Sequence, residues 1–211
     1  MLRLFSWLII AVLVFWSLGP GRIVPAKNPD PNHTHADFGV WVGKERIDFS
    51  KPEYMSGAST DSEHDVKDPK RKFLHLHDGN GSVMHRHKPG LTLGEFFDSL
   101  GMPMSSNWNT APCFTLPKLG KVCSGGSKQW RFFVNVEEKD AHTAASYVFN
   151  DLDRIALIYD PDDGTFPTRD SLMALVDQLT DDSCKYSQAC PEQGPPPTEN
   201  CIADPEVPCT Q

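Results

Sequence analysis

The stretch FLHLHDGNGSVMHRH, residues 73–87, decides the fold that we predict for this chain. A turn-forming centre, residues 78–81, separates two segments that each hold a His-x-His pair. Turn residues between two alternating segments predict a β-hairpin. Because residues i and i+2 of a strand point to the same face, each pair presents two imidazoles to one side of the sheet.

The length of the hairpin loop decides whether the two pairs share a face. A three-residue loop, residues 79–81, would combine a type I turn with Gly81 in the left-handed conformation. It would pair His75 with His85 and place all four hairpin histidines on one face. A two-residue loop over Asn80 and Gly81 would put the pairs on opposite faces. We favour the three-residue loop, because the shorter one would mix leucines and histidines on one face.

A third pair, His33 and His35, precedes an alternating segment over residues 36–49 that predicts another hairpin. In its first strand, every second residue is apolar and is expected to face a helix. His33 and His35 have the opposite parity. We therefore expect six histidines together on an open sheet face, away from the helix: His33, His35, His75, His77, His85 and His87.

The remaining segments predict an α+β fold, described as a β-grasp-like mixed sheet with a helix on one face. Thr92 and Glu95 form a capping box that begins a helix, and Gly101 ends it. The other expected elements are a polar loop over residues 56–72, an insertion over 104–129, strands over 130–136 and 154–159, and a helix over 170–180.

Both ends of the chain differ from this domain. Residues 1–20 hold an apolar run, residues 4–18, that is short for a membrane span, which needs about 20 residues. This leader therefore fits either a signal anchor or a cleaved signal peptide. Residues 21–32 are a linker, 33–180 the His-rich domain, and 181–211 a Pro/Cys-rich tail that cannot bury a core. We expect the protein to lie on the extracytoplasmic face of the cell membrane, or to be secreted if the leader is cleaved.

The six cysteines agree with export, because an even number outside the cytoplasm is typical of disulfides. Cys113 and Cys123 lie apart from the others and are expected to pair. The last four allow three pairings, and the sequence does not choose among them. They are Cys184, Cys190, Cys201 and Cys209. Because no Cys-x-x-Cys pair is present, a thioredoxin-like redox site is not supported.

The paired histidines predict a metal site, since imidazole is the commonest protein ligand of transition metals. Nitrogen ligands suit Zn(II), Cu(II) or Ni(II). Four methionines could add thioethers for Cu(I): Met102 and Met104, with Met55 and Met84. We therefore favour copper slightly over zinc. Asp78 is predicted to accept an imidazole N–H from outside the coordination sphere. His64 and His142 are expected to be ordinary surface residues.

Four segments resemble a family of exported bacterial and archaeal domains of uncharacterised activity. They are HTHADFGVWVGKERIDFSKPEYMS, HLHDGNGSVMHRHKPGLTLGEFFDSLGM, RFFVNV and YVFNDLDRIALIYD, and they lie within residues 33–160. The hairpin H-x-H-D-G-x-G-x-V-x-H-x-H is the most specific part of the likeness. Some family members carry a disulfide-isomerase label, which this chain does not fit because it lacks Cys-x-x-Cys.

Charge and composition narrow the functional classes. A net charge of −8 leaves no basic face for phosphates and argues against nucleic-acid binding. We predict a membrane-tethered module that buffers, delivers or senses copper or zinc. Two alternatives stay open: a metalloenzyme at the same site, although no catalytic constellation accompanies the histidines, and an envelope assembly protein with an unidentified protein partner.

Overall fold

The computed structural model of the chain describes residues 33–56, 71, 73–107 and 109–197. These residues form an α+β fold with two sheets. The strands are β1 (Thr34–Val42), β2 (Glu45–Arg46), β3 (Leu74–His75), β4 (Val83–Arg86), β5 (Met104–Asn107), β6 (Thr110–Leu116), β7 (Gly120–Cys123), β8 (Gln129–Val134), β9 (Glu137–Lys139) and β10 (Arg154–Asp160). The α-helices are α1 (Leu93–Ser99), α2 (Arg169–Val176) and α3 (Ser183–Tyr186), and 3₁₀ turns cover Pro52–Tyr54, Ala141–Ser146 and Pro191–Gln193.

The larger sheet has the strand order β3-β4-β1-β10-β8-β9, with β2 paired to β1 as well. β1 runs parallel to β10, and the neighbouring pairs are antiparallel. The first and last long strands of the domain therefore lie side by side in the middle of the sheet. This arrangement places β3, β4 and β1, which carry the histidine pairs, next to one another.

One face of this sheet packs on α1, as the alternation in β1 predicts. Ala36, Phe38 and Val40 are buried in the same apolar cluster as Phe96 and Phe97 of α1. The predicted capping box is also confirmed. The Thr92 hydroxyl accepts a hydrogen bond from the Glu95 amide, and the Glu95 carboxylate accepts one from the Thr92 amide.

The other face of the sheet is covered too, so the prediction of a helix on one face only was wrong. The apolar stripe of α2 and the following turn packs on buried side chains of β1, β8 and β10. Together they form a second apolar cluster, with the members Trp41, Phe133, Ala156, Ile158, Leu172, Leu175, Val176 and Leu179. The physical reason is that Trp41 and its neighbours add an apolar patch to the face that carries the histidines, and this patch buries the α2 stripe.

The region expected as an insertion forms the smaller sheet, in the order β5-β6-β7. Cys113 and Cys123 lie opposite each other on β6 and β7 and form a disulfide, which confirms the predicted pairing. Many side chains of this smaller sheet are polar and exposed. The sequence therefore did not predict its strands, because strands are recognised by alternating apolar residues.

In the histidine hairpin, the predicted register is confirmed but the predicted turn is wrong. His75 pairs with His85 across β3 and β4. The left-handed residues are Asp78 and Gly79, with φ of 57° and 70°, and not Gly81. A Cβ on Gly81 would lie 2.3 Å from the Ser50 amide nitrogen. Glycine is therefore needed at position 81 for close approach of two backbone segments.

Within the described part of the chain, no helix is both long and apolar enough to cross a membrane. The predicted leader and linker, residues 1–32, lie outside the described residues, and so does most of the predicted polar loop, residues 57–70 and 72.

Candidate metal centre

Three adjacent strands bring the six paired histidines together. His35 of β1 lies directly opposite His85 of β4, and His85 lies opposite His75 of β3. This row of three imidazoles crosses the sheet at one level. His33 and His87 follow two residues further along, and the rings of His33 and His87 have centroids 4.0 Å apart. The predicted common face is therefore confirmed.

The histidine face is not open, and that part of the prediction was wrong. His35, His75, His85 and His87 are 1%, 5%, 0% and 7% exposed, while His33 and His77 are half-buried. Residues of the predicted C-terminal tail cover part of this face, where they contact His35, His77 and His85. We call residues 182–190, which include α3, the cover segment.

Three of the histidines can hold a metal ion. His33, His85 and His87 each offer one ring nitrogen, and these atoms all lie within 4.8 Å of one another. Around a tetrahedral ion at ordinary Zn–N distances, ligand nitrogens lie about 3.3 Å apart. Binding therefore requires the ligand nitrogens to approach one another by up to about 1.5 Å.

A chain of hydrogen bonds fixes the tautomer of His85. His77 Nδ1 donates to the Asp78 carboxylate at 2.7 Å, because an ionised carboxylate only accepts. His77 Nε2 then carries the lone pair, and it accepts from His85 Nδ1 at 3.2 Å. This leaves the lone pair of His85 on Nε2, the form in which imidazole binds a metal.

The ring of His75 is oriented in the same way. Its Nδ1 donates to the backbone carbonyl of Arg71 at 2.9 Å, so its lone pair also lies on Nε2. The ring stacks on His87, with centroids 4.8 Å apart and planes 26° from parallel. His75 and His77 therefore support the triad from the outer side of the hairpin.

The surroundings keep His85 neutral. Burial, followed by the neighbouring histidines, holds its pKa well below the ordinary value. A neutral imidazole is the form that coordinates metals, so protons compete little with a metal at this nitrogen.

The cover segment is attached to the histidine face by Asp37, which is 0% exposed. The Asp37 carboxylate accepts hydrogen bonds from the amides of Asp182 and Ser183 and from the hydroxyls of Thr180 and Ser183. Burial raises the pKa of Asp37 despite these bonds. Four donors on one buried side chain therefore fix where α3 begins.

Tyr186 and a disulfide complete the cover. The Tyr186 ring lies edge-on to His85, with centroids 4.8 Å apart, and 5.5 Å from His35. Cys184 and Cys190, on either side of Tyr186, form a disulfide. This is one of the pairings that the sequence left open, while Cys201 and Cys209 lie outside the described residues.

Three further residues belong to this site and were not predicted from the sequence: Asp37, Tyr186 and Ser187. Asp37 did give a signal, because it is a charged residue in an apolar strand on the parity of the histidines. Tyr186 and Ser187 gave no such signal, since they lie in a stretch rich in proline and cysteine, where Ser187 is 152 residues from His35.

The methionines proposed as thioether ligands lie elsewhere. Met55, Met84 and Met102 are buried in the apolar cluster on the α1 face, and Met104 packs against it. His142 lies outside the cluster as well, where its ring bonds to the Asp140 carboxylate. His64 lies outside the described residues.

Comparison with known proteins gives no family for this chain: no family model, curated protein or solved structure matches it. The resemblance stated from the sequence stays a prediction.

Proposed function

We propose that this protein is a transition-metal-binding module whose histidine cluster holds one divalent ion. The observation that carries the proposal is the triad of His33, His85 and His87, with ligand atoms within 4.8 Å of one another inside a buried cluster. Collecting imidazoles in a protein interior is costly unless they gain strong polar interactions there. Coordination to an ion supplies such interactions.

The ligand set favours zinc or Cu(II). Imidazole nitrogen suits both ions, whereas Cu(I) prefers added sulfur ligands. Since the methionines of the domain core lie on the opposite face of the sheet, the earlier reason for favouring copper is lost. We therefore propose zinc and Cu(II) as equal candidates.

The buried position supports binding over catalysis. A catalytic site needs an open coordination position and a path for substrate. Here the cover segment packs on His35, His77 and His85, and a cavity of about 460 Å³ is lined instead by residues such as Trp130, Lys139 and His142. None of the six paired histidines lines that cavity.

For the cellular setting we propose an exported domain that buffers, delivers or senses the metal, tethered by its N-terminal segment or secreted. Two disulfides support an oxidising compartment. We also propose that the larger sheet is β-grasp-like, which the central parallel pair of β1 and β10 and the packing of α1 on one face support.

Equilibrium dialysis followed by metal analysis tests the proposal. Metal-stripped full-length protein is dialysed against Zn(II) or Cu(II), and we expect one ion per chain. His85→Ala combined with His87→Ala should weaken binding by more than about 100-fold, the upper end of what loss of an outer partner costs. His142→Ala, which removes a histidine outside the cluster, is the matched control. No bound ion, or equal binding by the double variant, would overturn the proposal.

A further inference from the structure

His35 lies next to the triad without belonging to it. Its ring centroid is 4.4 Å from that of His33 and 4.8 Å from that of His85, whereas His33 and His85 are 6.2 Å apart. The ring of His35 therefore lies between the rings of two proposed ligands, His33 and His85. Its Nε2 atom is shielded from solvent.

The cover segment determines which nitrogen of His35 carries the lone pair. The Ser187 hydroxyl donates to the Asp151 carboxylate at 2.6 Å. Since a hydroxyl has a single proton, Ser187 Oγ must accept from His35 Nδ1–H, at 2.7 Å. The lone pair of His35 is then on Nε2, the same form that the hydrogen-bond chain gives to His85.

Asp151 is itself held in place by a hydrogen bond from β1. Its Oδ1 also accepts from the backbone amide of His35, at 3.0 Å. Ser187 is 0% exposed, and it follows directly on α3, whose start is held by Asp37. Contacts in the protein interior therefore fix the position of the Ser187 hydroxyl.

We propose that Ser187 is a positioning residue that holds His35 as the fourth ligand of the ion bound by His33, His85 and His87. This inference rests on the proposed function and adds the coordination number of the site. Three nitrogen ligands leave a position for water or substrate, whereas four close the tetrahedron. Through Ser187, the cover segment closes the coordination sphere.

Cobalt substitution with azide as a probe tests this. The full chain is loaded with Co(II), whose visible spectrum reports its ligands, and azide is added to occupy any open position. We expect the wild-type spectrum to be unchanged by azide. Ser187→Ala should bind Co(II) about tenfold more weakly, as for loss of a partner that orients a ligand, and its spectrum should change with azide. Ser146→Ala, which removes an exposed hydroxyl bonded to Thr143, is the matched control.

A second variant makes the test independent of how Ser187→Ala folds. His35→Ala should respond to azide, and added imidazole should restore the wild-type spectrum by filling the empty position. An azide response of the wild-type protein, or azide-insensitive spectra for both Ser187→Ala and His35→Ala, would overturn this inference alone. Failure of the wild-type chain to bind Co(II), together with Zn(II) and Cu(II), would overturn the proposed function itself.

Discussion

His35 and His85 face each other directly across β1 and β4, with ring centroids 4.8 Å apart, and neither is more than 1% exposed. Facing pairs of this kind are where side chains of a sheet interact most closely. The pairing brings two His-x-His motifs, 50 residues apart in the sequence (35 and 85), into one buried cluster. The site is therefore a product of strand register and not of one local motif.

Removing the charge of Asp78 should weaken metal binding without unfolding the hairpin. Asparagine tolerates the left-handed conformation, so Asp78→Asn keeps the turn, where φ is 57°. It removes the carboxylate that accepts from His77 and, through it, orients His85. We expect about tenfold weaker zinc or copper binding by calorimetric titration.

Asp163→Asn is the matched control, because Asp163 accepts from the Thr165 amide in an exposed turn. Equal metal affinity of Asp78→Asn and the wild type would show that the negative charge of Asp78 does not support a ligand.

Opening the disulfide of the cover segment should speed metal release. The Cys184–Cys190 bridge closes a short loop, and a loop of this length contributes about 2 kcal/mol. Loss of that free energy raises the population of the opened cover up to about 30-fold. Cys184→Ser combined with Cys190→Ser should therefore release metal to a chelator faster in stopped-flow measurements.

The second disulfide provides the control for this experiment. Cys113→Ser combined with Cys123→Ser removes a bridge of the smaller sheet, so release should stay at the wild-type rate. If both double variants release metal at the same rate, the cover segment does not limit access.

Tyr147 should make the fold sensitive to alkaline pH. Burial, together with its hydrogen bond to the Asp153 carboxylate, raises the pKa of Tyr147 above its ordinary 10.0. The unfolded chain then loses this proton first, so the contribution of Tyr147 is complete below pH 10 and is lost as the pH rises above it.

Urea denaturation at pH 8 to 11, roughly spanning the ordinary tyrosine pKa, measures this effect. Tyr147→Phe should be less stable by about 1 kcal/mol at neutral pH, and the difference should narrow above pH ~10. Tyr159→Phe is the control, because the Tyr159 hydroxyl donates to the Cys123 carbonyl and, among the described residues, to no carboxylate. If the difference in the free energy of unfolding between Tyr147→Phe and the wild type stays constant with pH, folding does not raise the pKa of Tyr147.

The features that the sequence predicted are those with local causes. Thr92 and Glu95 lie three residues apart, so their capping box is visible in the sequence. The pairing of His75 with His85 follows from a short hairpin and the parity of its strands.

The features that it did not predict depend on contacts between distant residues. Gly81 is required by the backbone at Ser50 and not by the turn itself. The cover over the histidines depends on Asp37 accepting from the amides of Asp182 and Ser183, a separation of about 145 residues. No local pattern of the Pro/Cys-rich segment indicates that contact.

Anomalous diffraction from crystals of the zinc- or copper-loaded protein tests the central claim most directly, because it locates the ion itself. We expect one peak inside the histidine cluster, about 2.0–2.1 Å from ring nitrogens of His33, His85 and His87. A loaded crystal with no peak at these three residues, or with its peak elsewhere on the chain, would contradict the account.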